Sequence, residues 1–87
     1  MKILDINVIR GSNSRKVMTA VSKLARKVIQ QVRKGYANVS VCITNRYGVK
    51  TACIMAYEYS KQKRIIRARA YVDDGKNKTE LLLTIGF

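Results

Sequence analysis

Leu4, Ile6 and Val8 share one parity near the start of the chain, with Asp5 and Asn7 on the other. A period of two marks a strand with one buried face, and it predicts β-structure from Ile3 to Ile9 with Leu4, Ile6 and Val8 turned inward. Gly11 follows, and Ser12, Asn13 and Ser14 then offer three consecutive N-cap side chains. Beyond them the period changes: Val17, Val21, Leu24, Val28 and Val32 recur at intervals of four, three, four and four, the spacing of a single helical stripe. Arg33 and Lys34 put cations in the last turn, and Gly35 can take the positive φ of a C′ position. The pattern predicts a helix over residues 13–34.

Alternation returns after Gly35. Val39, Val41 and Ile43 alternate with Ser40, Cys42 and Thr44, Asn45-Arg46-Tyr47-Gly48 reads as a tight turn, and Val49 to Tyr59 resumes a β-rich composition. Ser60 to Lys63 is a polar connection. Ile66, Ala68, Ala70 and Val72 then alternate with Arg67, Arg69 and Tyr71, and residues 74–78 form a second turn. Leu81, Leu83, Ile85 and Phe87 set the core side of a last strand. The order β-α-β-β-β-β, in one domain over residues 1–87, predicts an α+β fold in which one amphipathic helix packs on an antiparallel sheet in two layers.

A single helix covers one sheet face and leaves the other open. Ile65, Leu82 and one face of residues 49–59 are apolar at positions that would lie on this open face, more than a solvated face requires. The surplus points to a homodimer, against the ordinary reading of scattered surface apolar groups.

Composition narrows the function. The 87 residues carry 18 Lys and Arg against 5 Asp and Glu, a net charge of +13, with no His and no Pro. So basic a domain calls for an anionic partner. Without His the commonest general base near neutral pH is missing, and Asp5, Glu58, Asp73, Asp74 and Glu80 are scattered. Asp73-Asp74-Gly75 reads as a turn beside Lys76 and Lys78 rather than a metal loop, and the Gly-Lys-Ser/Thr ending of a P-loop is absent. No catalytic residue, cofactor or metal site is expected. Cys42 and Cys53 lack the companions of a zinc site, are too few for a disulfide scaffold, and read as buried thiols that face each other if the hairpin turn is tight. With no signal peptide and no apolar run approaching the roughly 20 residues that span a bilayer, the expected compartment is the cytoplasm, away from membranes.

The cations are concentrated on the predicted helix. At about 100° per residue, Arg15, Arg26 and Arg33 fall in one column, and Lys16, Lys23, Lys27 and Lys34 in a second about a quarter-turn away. No acid occurs between Ile6 and Tyr57, so this face forgoes the Glu–Lys pairs of an ordinary solvated helix. Such a face can follow a line of phosphates, Lys as point charges and Arg as bidentate donors. Lys63, Arg64, Arg67 and Arg69 form a second basic cluster with Lys61, and Arg46 beside Tyr47 adds a cation and a stacking ring at a turn. Aromatics interleaved with cations suit RNA or single strands better than duplex DNA. None of the sequence signatures of the common nucleic-acid-binding modules is present.

In size, charge and its basic helix over Arg15 to Lys34, the chain resembles the small T-even phage inhibitors of ToxN-type endoribonuclease toxins known as TifA. That resemblance implies an RNA-binding, antitoxin-like phage protein and transfers no site residue. The expected function is therefore non-enzymatic binding of nucleic acid, RNA before DNA, mainly through the phosphate backbone. The competing expectation is an inhibitor or adaptor whose basic face docks an acidic or nuclease protein.

Overall fold

Each change of hydropathy period becomes a change of element. A computed structural model, which describes residues 1–87, contains β1 (Lys2–Arg10), α1 (Arg15–Arg33), β2 (Ser40–Thr44), β3 (Lys50–Ser60), β4 (Ile65–Asp73) and β5 (Lys78–Gly86). The helix starts at Arg15 because Ser14 is the N-cap: its backbone is extended and its hydroxyl oxygen accepts from the Val17 amide at 3.2 Å. It ends in a Schellman motif. Gly35, at φ 101°, donates its amide to the Val32 carbonyl, and the Tyr36 amide reaches back to Gln31.

The five strands form one antiparallel sheet in the order β1-β5-β4-β3-β2, so β2 to β5 are a meander and β1 returns beside the last strand. The stripe Val17, Val21, Leu24, Val28 and Val32 is buried, together with Ala25 and Ile29. It lies over β2, β3 and β4. The middle strands receive it on small residues: Ala56 opposes Ala68, and Ile54 opposes Ala70, all buried. Alternating large and small side chains lets the helix come close while Ile54, Ile66, Leu81, Leu83 and Ile85 fill the space beside it. The α+β architecture expected from the sequence is the one found. No helix is long and apolar enough to cross a membrane.

Two expectations are corrected. Leu4 is not a core residue: the β1–β5 register shifts between Ile3 and Asp5, which turns Leu4 outward at 50% exposure and packs Ile3 with Ile6 against the core. Leu4 instead covers Gly86 on the open face, where its Cδ1 would lie 3.3 Å from an added Cβ. Nor are Cys42 and Cys53 buried thiols. They are directly opposed across the β2–β3 hairpin, joined in a disulfide, and half-buried on the face away from the helix, because their parity is that of Ser40 and Met55.

The β1–α1 connection is fastened to the sheet at Thr79, the one buried polar residue. Its hydroxyl donates to the Ser12 carbonyl and accepts from the Ser12 amide, each at 3.3 Å. Gly11 permits this approach: at φ 88°, an added Cβ would meet Thr79 Cα at 2.7 Å and the Lys78 carbonyl oxygen at 2.8 Å. Both neighbours are backbone and cannot yield. Gly11→Ala should therefore destabilise the fold by more than about 1 kcal/mol in urea denaturation, since left-handed backbone and a backbone clash act together. A variant as stable as wild type would contradict the packing described for this corner.

Candidate nucleic-acid interface

The buried stripe orients the helix, and orientation decides where its charges go. Arg15, Lys16, Lys23, Arg26, Lys27, Arg33 and Lys34 are all exposed, on the arc opposite the stripe. None of the seven takes part in an ion pair. At one end Lys16 Nζ donates to the backbone carbonyl of Asp74 at 3.4 Å. Asp74 is otherwise engaged: amides of Asn77 and Lys76 donate to its carboxylate, holding it below the usual carboxylate range, with the nearby Lys16 charge contributing less. Thr19 turns its hydroxyl back to the Arg15 carbonyl at 2.9 Å and so has no free donor for a ligand.

Over 19 residues the cations span about 28 Å of helix axis. Two features of the array work against the isolated helix. Like charges stand one turn apart, and the first turn carries Arg15 and Lys16 with no acid to oppose them, the unfavourable sign for a helix N-terminus.

The remaining basic residues separate into three places. Arg46 and Tyr47 sit at the tip of the β2–β3 hairpin, with the guanidinium 5.0 Å from the Tyr47 ring centroid and Tyr47 75% exposed. This tip lies towards the N-terminal end of α1, where Ile43 and Thr51 share a groove with Lys16 and Ala20. Arg67 and Arg69 lie on the open sheet face, away from the helix. There Arg69 meets Glu80 at 3.0 Å, Arg10 meets the other oxygen of Glu80 at 3.1 Å, and Arg67 meets Glu58 at 3.4 Å. Lys63 shares a groove with Glu58 and Arg67 on that side. Arg64 belongs to the helix side.

Arg64 and Lys61 line a cleft of about 520 Å3 at the C-terminal end of α1, with Arg33, Tyr36, Tyr59 and Phe87. Tyr59 and Phe87 stack at 5.7 Å between ring centroids, and the Arg64 guanidinium stands 5.7 Å from the Phe87 ring. Arg64 Nε also donates to the Phe87 carbonyl oxygen at 2.6 Å. Sequence reasoning placed Phe87 in the core and did not join it to Tyr59. A contact between the ends of β3 and β5 leaves no local signal. Arg10 was likewise missed as the third member of the Glu80 cluster.

No group of three or more His, Cys, Asp or Glu side chains stands together as a metal site. The sequence matches no family model, no curated protein and no solved structure.

Glu80 is held below the usual glutamate range, first by the hydrogen bond from Arg69, with burial opposing it and the charges of Arg10 and Arg69 adding smaller contributions in the same direction as the hydrogen bond. A depressed acid adds stability above its unfolded pKa and loses it as pH falls through the folded value. Glu80→Gln should therefore be less stable than wild type at neutral pH and converge with it as pH falls below the usual glutamate range. Urea denaturation across that range checks this, and a pH-independent difference would exclude the charged cluster as its cause.

Proposed function

We propose that the protein binds nucleic acid without enzymatic chemistry, through the exposed cationic arc of α1 and chiefly through phosphates. RNA or single strands are favoured over duplex DNA. One observation carries this reading: seven helix cations are left without carboxylate partners, while Glu58 and Glu80 pair with Arg10, Arg67 and Arg69 on the opposite side of the molecule. A duplex presents one charge per about 1.7 Å of axis, so about 28 Å of helix meets more phosphates than it can neutralise. A phage-encoded inhibitor of an RNA-targeting toxin is the biological role that suits such a protein. An acidic or nuclease protein docked on the same arc is the competing partner.

Lys23→Glu, Arg26→Glu and Lys27→Glu together should abolish binding and leave the circular dichroism spectrum intact, because all three side chains are exposed. For wild type, neutralising about six phosphates gives a slope of log K against log[salt] of about −4.2 for a single strand and about −5.4 for duplex. Between 50 and 200 mM salt these slopes mean losses of roughly 300- to 2,000-fold. Unchanged binding by the folded triple variant would remove the helix from the site. A shallow slope, with an acidic protein retained at high salt, would favour the competing partner.

We further propose that the open sheet face pairs two copies of the chain. It mixes Asp5, Glu58 and Glu80 with Arg10, Arg67 and Arg69, so it carries less unbalanced charge than the helix side. Leu4, Ile9, Met55 and Tyr57 are about half exposed. With extents of 39 × 26 × 17 Å, the broad face projects about 1,000 Å2, against about 800 Å2 per partner in a standard interface. Sedimentation equilibrium should find a dimer for wild type and a monomer for Met55→Arg. A monomeric wild type would refute the pairing.

A further inference from the structure

The cleft at the C-terminal end of α1 differs from the rest of the basic surface in having walls as well as charge. The Schellman turn at Gly35 directs the chain away from the helix and sets Tyr36, 61% exposed, at the cleft's edge. The stacked pair Tyr59 and Phe87 lines the same cleft. Arg33, Lys61 and Arg64 surround the aromatics, and no Asp or Glu lines the cavity. Its volume of about 520 Å3 lies in the range of small-ligand sites, about 300–1,000 Å3.

The backbone supplies an independent observation. Arg64 has φ 55°, the only non-glycine residue in the left-handed region. That conformation favours Gly or Asn, and an arginine adopts it at a cost. Its guanidinium is fixed between the Phe87 ring and the Phe87 carbonyl oxygen, so a cation is held at the cleft before any ligand arrives. A preformed cation beside aromatic faces recognises a flat aromatic group with a phosphate attached.

We propose that this cleft receives one unpaired nucleobase of a single strand, stacked on Tyr36, with the adjoining phosphates held by Arg33, Lys61 and Arg64. The inference rests on the nucleic-acid reading of the helix and adds to it a reason for strand preference. Arg33 belongs both to the helix column and to the cleft wall, so a strand lying along the helix leads directly into the cleft. A paired base inside a duplex has no free face to offer. The helix arc alone accepts any polyanion, and the cleft is what would distinguish an open strand from a closed one.

The experiment measures wild type, Tyr36→Ala and Tyr36→Phe against a labelled single-stranded RNA, a single-stranded DNA of the same sequence and a duplex. Adenosine monophosphate serves as the free-nucleotide arm. Tyr36 is exposed and follows the helix, so both variants should fold, and circular dichroism checks that they do. Tyr36→Ala should weaken single-strand binding roughly 5- to 150-fold, the range for loss of one base–aromatic stack, and leave duplex affinity and the salt slope unchanged because no charge is removed. Tyr36→Phe should bind as wild type, and a 2-aminopurine placed in the strand should be quenched by wild type and released by Tyr36→Ala. Equal or no loss for strand and duplex would overturn the cleft while the helix reading stands. Adenosine monophosphate binding as tightly as the strand would assign the cleft to a free nucleotide and overturn the strand proposal. Failure of wild type to bind any of the oligonucleotides at low salt would remove the helix reading and the inference with it.

Discussion

The apolar stripe of α1 has one place to go, and its burial against β2, β3 and β4 determines most of what the molecule presents to its surroundings. Once Val21, Leu24 and Val28 face the sheet, the rotation of the helix is set to within the width of that stripe. The charged arc then has no freedom of its own. It must project outward as a ridge, and it does so on a rigid support rather than on a loop. A charge introduced at Leu24 would attack the support, whereas charge reversal at Lys23 alters only what the ridge displays.

Segregation of charge follows from the same geometry. The acids occur on strands and in the β4–β5 turn, never on the helix, and the sheet carries Glu58 and Glu80 to the face furthest from α1. There they are consumed by Arg10, Arg67 and Arg69, so the two sides of a thin molecule have opposite electrostatic character: one self-compensated, one strongly positive. Exposed pairs of this type add little stability, and their larger consequence is that they leave the helix unopposed.

Much of the fold was legible because it is written in local periods. The helix stripe, the N-cap at Ser14, the glycine at Gly35 and the inward parity of Ile66, Ala68, Ala70 and Val72 each depend on residues within a few positions of one another. Leu4 was misread because a register shift reverses parity without any change in composition, and β1 is apolar at both Leu4 and Ile3. Cys42 and Cys53 could be aligned across the hairpin by counting from its turn, but their exposure depends on which face the helix covers. The helix cations of the candidate site were legible for the same local reason as the stripe. The separation of Arg67 and Arg69 from Arg64, and the meeting of Tyr59 with Phe87, depend on cross-strand register and on which end of the sheet lies beside the helix terminus. Neither has a signature in the order of residues.

The placement of β1 beside β5 has a consequence during synthesis. Ile6 pairs with Leu83, so the first strand leaves the ribosome far ahead of the strand that will receive it. At about 5–20 residues per second the delay is some seconds, long compared with the microseconds in which a hairpin such as β2–β3 forms. The meander and the helix can therefore assemble while β1 is still unpaired, and β1 closes the sheet as its last edge. Thr79, at the start of β5, grips the Ser12 backbone only at that moment, so the fastening of the helix entrance and the completion of the sheet are one event.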